Sequence, residues 1–155
     1  MNILIPYTKF DSLNIFFLEK RSIREQTMRE NDKKSIDDTH GNYTKIIYST
    51  KYFTMNGIYL TFMITPVSIH KNIVSIIKPT NEFVESVEHI ESSCLDYYKN
   101  YFLIEKKPVY YLLQQLKTGS LKFYKENHGS QFFLKISGIW DTELEYGITY
   151  KIIMA

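Results

Sequence analysis

The sequence predicts a mostly β domain of the α+β class with one main helix. Three observations carry this. Runs rich in Ile, Val, Thr, Tyr and Phe recur along the chain, bounded by Gly, Asn, Ser and Pro. One stretch after Pro79 switches to helical periodicity. Helix and strand do not alternate, which disfavours a parallel α/β sheet. At 155 residues the chain suits a single domain over 1–155.

The opening, Asn2 to Phe17, is apolar and β-prone, and predicts one or two strands, the second near Leu13–Leu18. Residues 20–42 are dense in both charges and poor in apolar side chains, so they read as a charged loop or a short solvated helix. Residues 43–54 read as a strand, and Asn56-Gly57 after them as a hairpin turn, since both residues tolerate positive φ. The following strand alternates, with Ile58, Leu60, Phe62 and Ile64 facing the core and Tyr59, Thr61 and Met63 facing out, until Pro66 ends it.

A helix starts after Pro79, capped by Thr80 or Asn81, with acids suiting its positive dipole end. Phe83, Val87, Ile90, Cys94, Tyr97 or Tyr98, and Tyr101 make its buried stripe, and Glu82, Glu85, Glu88 and Glu91 its solvated face. Pro108 opens either a short helix over Val109–Leu116, closed by Gly119, or an extended segment. Leu121–Lys125 reads as a strand, 127–130 as a turn, Phe132–Trp140 as a strand, Asp141-Thr142 as loop and Glu145–Ile153 as the last strand. A five- or six-stranded barrel with its helix between the third and fourth strands has this order, which is OB-like. An α+β sheet with one covering helix is the rival.

Composition excludes several classes. Hydrophobic residues at 44% and charged residues at 23% rule out a wholly disordered chain. The single cysteine, Cys94, rules out an internal disulfide framework and a cysteine zinc cluster, and its position on the helix stripe predicts packing. No apolar run suffices to span a membrane, and no leader-like segment opens the chain, so we expect an intracellular protein with no membrane partner. Alanine occurs once, and Gly, Pro and Arg are scarce, which suggests an AT-rich genome such as a virus or plasmid. The four histidines lie far apart, and no Gly-rich phosphate loop or nucleophile elbow is present. We therefore expect no enzyme, no cofactor and no metal. Asp141, Glu143 and Glu145 near a turn leave one rival, a small metal-dependent nuclease.

Charge is segregated. Residues 43–78 carry Lys45, Lys51, Lys71 and Lys78 and no acid, a net +4. Residues 79–104 carry −4, and residues 105–135 carry +4 through Lys106, Lys107, Lys117, Lys122, Lys125 and Lys135 against two acids. Aromatic residues reach 15% and interleave with lysine on the expected strands. Rings stack on bases and lysines neutralise phosphates, so this mixture suits a single nucleic-acid strand. Duplex readout wants a basic recognition helix, and the one clear helix is acidic. The candidate binding residues are Tyr43, Lys45, Lys51, Tyr52, Tyr59, Lys122, Tyr124, Lys125, Phe133, Lys135 and Trp140.

The stretch LKISGIWDTELEYGITYKI, Leu134 to Ile152, resembles the end of small OB-fold-like single-stranded DNA-binding proteins of large DNA viruses and related mobile elements. The segments IYSTKYFTMNGIYLTF and QQLKTGSLKFY fit the same pattern, and the resemblance runs from Tyr43 onward. It implies sequence-independent binding of single strands in replication or recombination, often with self-association. The expected function is thus single-stranded DNA binding, with RNA as another strand the same chemistry serves. The alternative is a structural or interaction protein whose exposed aromatics form an oligomer or partner interface.

Overall fold

The computed structural model describes residues 3–22, 41–126 and 128–155. The strands run β1 (Ile15–Phe17), β2 (Arg21–Ser22), β3 (Asn42–Ser49), β4 (Thr54–Asn56), β5 (Ile58–Thr61), β6 (Pro66–His70) and β7 (Ile73–Ile76). The main helix α1 (Asn81–Phe102) follows, then β8 (Lys107–Val109) and the short helix α2 (Tyr111–Thr118). The chain finishes with β9 (Ser120–Lys122), β10 (Tyr124–Lys125), β11 (Phe132–Asp141) and β12 (Glu145–Met154). Nine of these strands form one sheet, and β6, β7 and β9 form a second.

The α+β class with one main helix is what the sequence predicts, but the barrel is not: the sheets are open, and α1 follows β7 rather than a third strand. Most of the charged segment expected at 20–42, residues 23–40, lies outside the described residues, as does Asn127 of the expected turn. At the start of that segment Arg21–Ser22 pairs with Tyr43 and Asn42 as β2.

Strand pairing departs from the local pattern at several points. The run 43–54 is not one strand. It turns back at Thr50, whose N–H bonds to the Phe53 carbonyl, so β4 pairs with β3. Asn56-Gly57 is therefore no hairpin turn. Gly57 takes φ +99 and redirects the chain from β4, which pairs β3, to β5, which pairs β11. A Cβ there would stand 2.9 Å from the Ile136 carbonyl oxygen, so only glycine fits. Likewise the expected strand 121–125 divides: β9 joins the small sheet and β10 the large one, on either side of the buried Phe123. Pro66 opens β6 instead of ending β5, at a sheet edge where its missing N–H costs no ladder bond.

Helix α1 forms as read. Thr80 Oγ1 accepts from the Phe83 N–H at 3.2 Å, and Phe83, Val87, Ile90, Cys94 and Tyr98 are buried. Tyr101, placed on the stripe from the sequence, is instead exposed. Phe83 packs on Phe62 with ring centres 5.3 Å apart, and Tyr98 on Tyr146 at 5.9 Å, which seats the helix on the large sheet. Cys94 is fully buried, and burial pushes its thiol up to about 12, in keeping with packing.

Glu91 departs from the solvated face assigned to it. It has no exposed surface, and its Oε2 and Oε1 accept from the Leu112 and Leu113 N–H groups, each at 3.0 Å. Tyr110, at the N-cap of α2, makes no side-chain cap bond. A carboxylate from α1 thus caps α2 across the core, satisfying donors that a helix start leaves open. Both readings of the Pro108 segment hold in part, since β8 is extended and α2 follows, closed by Gly119.

Burial pushes the Glu91 carboxyl up from 4.5 to about 6, against the two N–H bonds that lower it. Its folded form thus holds a proton more readily than the unfolded chain. Stability should therefore fall by on the order of 1 kcal/mol as pH rises through the window from 4.5 to about 6, a component absent in E91Q. Glu91→Ala leaves two buried donors unpaired and should cost about 2–3 kcal/mol in urea unfolding at neutral pH.

Candidate functional site

Cross-strand partners share a sheet face, so the pairing of β11 with its neighbours sorts the side chains. Leu134 lies opposite Leu60 and Ile152, and Ile136 opposite Ile58 and Tyr150; this is the core face. Phe133 lies opposite Thr61 and Ile153, and Lys135 opposite Tyr59 and Lys151, on the outer face. A bulge at Ser137 would swap the two faces, but the register shift restores them. Gly138 and Trp140 continue the outer face opposite Lys45 and Tyr43, while Ile139 and Asp141 continue the core.

Rings and ammonium groups meet at one end of this outer face. Lys135 Nζ sits 5.5 Å from the Tyr59 ring centre, and the Tyr59 and Phe133 rings are 6.4 Å apart. Lys151 Nζ lies 5.0 Å from the Tyr124 ring, and Lys122 Nζ lies 5.5 Å from the same ring. Such cation–π contacts offset part of the repulsion between lysines placed directly opposite, as Lys135 and Lys151 are. Among the described residues, none of these three lysines forms an ion pair. Tyr124 is 42% exposed and Phe133 half-buried, whereas Tyr59, at 8%, is floor rather than open platform.

Next to this cluster is a cleft of about 390 Å³ lined by Leu4, Tyr59, Glu126, Phe133, Lys135 and Ile153. Ile5 fixes its N-terminal wall by bonding the Tyr59 carbonyl and the Thr61 N–H, and the Glu126 N–H holds the Met154 carbonyl at 2.8 Å. Glu126 and Lys135 line the same space without pairing.

The other end of the face is built on two glycines. A Cβ on Gly138 would meet the Tyr43 ring, and one on Gly147 would stand 2.6 Å from the Trp140 ring. Trp140 also stacks on Tyr111 with ring centres 5.9 Å apart. Both rings thus cover bare backbone, a packing role in the sheet itself.

Of the sequence candidates, Tyr59, Lys122, Tyr124, Phe133 and Lys135 come together, and Tyr43, Lys45 and Trp140 share their face further along β11. Lys51 and Tyr52 do not join them. They occupy the turn after β3, where Lys51 Nζ lies 5.0 Å from the Tyr52 ring, at the strand end remote from Tyr43. Lys125 follows Tyr124 on the same strand and so points to the opposite side. Lys71 and Lys78 belong to the small sheet's hairpin and the segment after it. Lys151 was missed. The signal was present, since even positions of the last strand face the core and Lys151 is odd.

Asp141 is not loop but the last residue of β11, with no exposed surface. Its Oδ1 accepts from Lys106 Nζ at 2.5 Å, and its Oδ2 from Tyr98 Oη at 2.8 Å and Lys20 Nζ at 3.1 Å. Burial raises its carboxyl, but the bonds from Lys106, Tyr98 and Lys20 outweigh burial and hold it below the usual range. Among the described residues no cluster of three His, Cys, Asp or Glu side chains is arranged to hold a metal ion, so the carboxylates at 141, 143 and 145 do not converge. No helix of the described residues is long and apolar enough to cross a membrane.

Comparison with protein-family models, curated proteins and solved structures finds no match to this chain.

Gly147→Ala should push Trp140 off the backbone it covers. We expect about 1–3 kcal/mol of lost stability and a red shift in emission of this sole tryptophan, read by fluorescence.

Proposed function

We propose that the outer sheet face binds single-stranded DNA, largely irrespective of sequence, in support of replication or recombination; RNA presents the same phosphates and base faces. One observation carries the reading. Lys135 and Lys151 stand directly opposite each other beside aromatic rings, with no acid paired to either among the described residues. Like charges so placed repel, and a phosphate between them relieves the repulsion. Tyr124 and Phe133 offer ring surface beside them, and stacking of a base on such a ring contributes about 1–3 kcal/mol. Binding along a sheet face is the OB-like mode, and it requires the face rather than a closed barrel.

Oligo-dT anisotropy at low salt tests this. Binding should weaken linearly with the logarithm of salt concentration, and Lys135→Ala or Lys151→Ala should each remove roughly 0.7 from that slope. Phe133→Ala and Tyr124→Ala should weaken binding while leaving the slope unchanged. Absence of binding at low salt rejects the reading.

A second reading has its own observation. Strand β6 is exposed at all five positions, has no partner beyond β7 among the described residues, and carries no Lys, Arg, Asp or Glu. With Met63, Val67, Ile69, Ile73 and Ile77 exposed around it, this edge suits antiparallel pairing with a second copy of the chain. Light scattering should then show a dimer that Ile69→Lys splits; a monomer at high concentration rejects it.

A further inference from the structure

Resting on the single-strand reading, we propose that the cleft between Leu4 and Phe133 is a base pocket that selects guanine. Its volume of about 390 Å³ falls at the small end of ligand pockets. Its walls are two rings, Tyr59 and Phe133, and two aliphatic side chains, Leu4 and Ile153. Flat apolar surface of this kind suits a nucleobase better than a sugar or a peptide backbone. Among the described residues, two charged side chains line it, and they are of opposite sign.

Those two charges divide the labour. An ionised carboxylate only accepts hydrogen bonds, so Glu126 asks for donors on the ligand. Guanine presents N1–H and the N2 amine side by side, matching the two carboxylate oxygens in a bidentate, charge-assisted pair. Cytosine and adenine each present one amine next to a ring acceptor. Thymine presents one N–H between two carbonyl oxygens, which a carboxylate repels. Lys135, which also lines the cleft and is unpaired among the described residues, is left for the adjoining phosphate, with Lys151 opposite it on the next strand. The Glu126 backbone is anchored by its N–H bond to the Met154 carbonyl, and Glu126 lines the cleft. A pocket holding only an anion would have no use for an acid there.

The test compares an oligo-dT strand with the same strand carrying one central dG, dA or dC. Anisotropy should show the dG strand binding roughly tenfold tighter than oligo-dT, with dA and dC between. In Glu126→Gln the dG strand should lose its advantage over oligo-dT. Glu126 is exposed, so the variant should melt as the parent does. Equal affinity for all four strands overturns the pocket and leaves the strand-binding face standing. A dG preference that survives Glu126→Gln also overturns it. Free guanosine monophosphate binding as tightly as the dG strand reassigns the cleft to a mononucleotide and overturns it too. Failure to bind any strand removes the underlying reading and the pocket with it.

Discussion

At the end of β11 a carboxylate with no exposed surface gathers three donors from three separate parts of the chain. Lys20 comes from the N-terminal segment, Tyr98 from α1 and Lys106 from the stretch leading into β8. A buried charge is tolerable only when its lone pairs are filled, and here they are filled by groups that have no other reason to meet. The Lys20 ammonium also lies 4.6 Å from the Phe102 ring centre, so it is held by a π face as well as by Asp141. The outcome is a fixed end to β11, the strand on which both faces of the large sheet are organised.

From that fixed end the alternation of β11 and β12 does the rest. Their pairing runs almost the full length of both strands and is interrupted only at Ser137. A one-residue slip would carry Leu134 and Ile136 to solvent, so the register is held by what it buries. Leu134, Ile136 and Ile152 are all buried to within a percent or so of completely. The outer face shares the rigidity of that core, since Tyr59 belongs to it and Phe133 packs against it. The same register sets the Lys135 and Lys151 backbones opposite each other. Two like charges are thereby set on neighbouring strands.

A second device of the same kind joins the helices. Glu91 directs its carboxylate to the open end of α2, so the helix that lies against β12 is oriented from α1 rather than by its own N-cap. Tyr150, on the core face of β12, bonds in turn to Gln115 of α2. The large sheet is thus backed by polar contacts at Asp141 and Glu91 and by apolar packing between them. Its opposite side is left to lysines, exposed rings and a cleft containing one acid.

Much of this was legible from local pattern. The Thr80 cap and the 83–98 stripe marked the main helix, and Gly119 marked the end of the second. Those features depend on neighbours a few residues away, where backbone geometry fixes which side a residue faces. What the tertiary structure alone decided involves partners far along the chain. Glu91 reads as one more acid on a charged helix until α2 arrives to need it, and Asp141 as a loop residue until Lys20 and Lys106 converge on it. Asn56-Gly57 has the local chemistry of a hairpin, yet β4 pairs with β3 and β5 with β11, so the glycine became a crossing point instead. Whether a lysine joins the candidate site or stands off at a distant turn, as Lys51 does, depends on strand pairing. Pairing is settled by which core positions can be buried together, and no stretch of residues carries that information by itself.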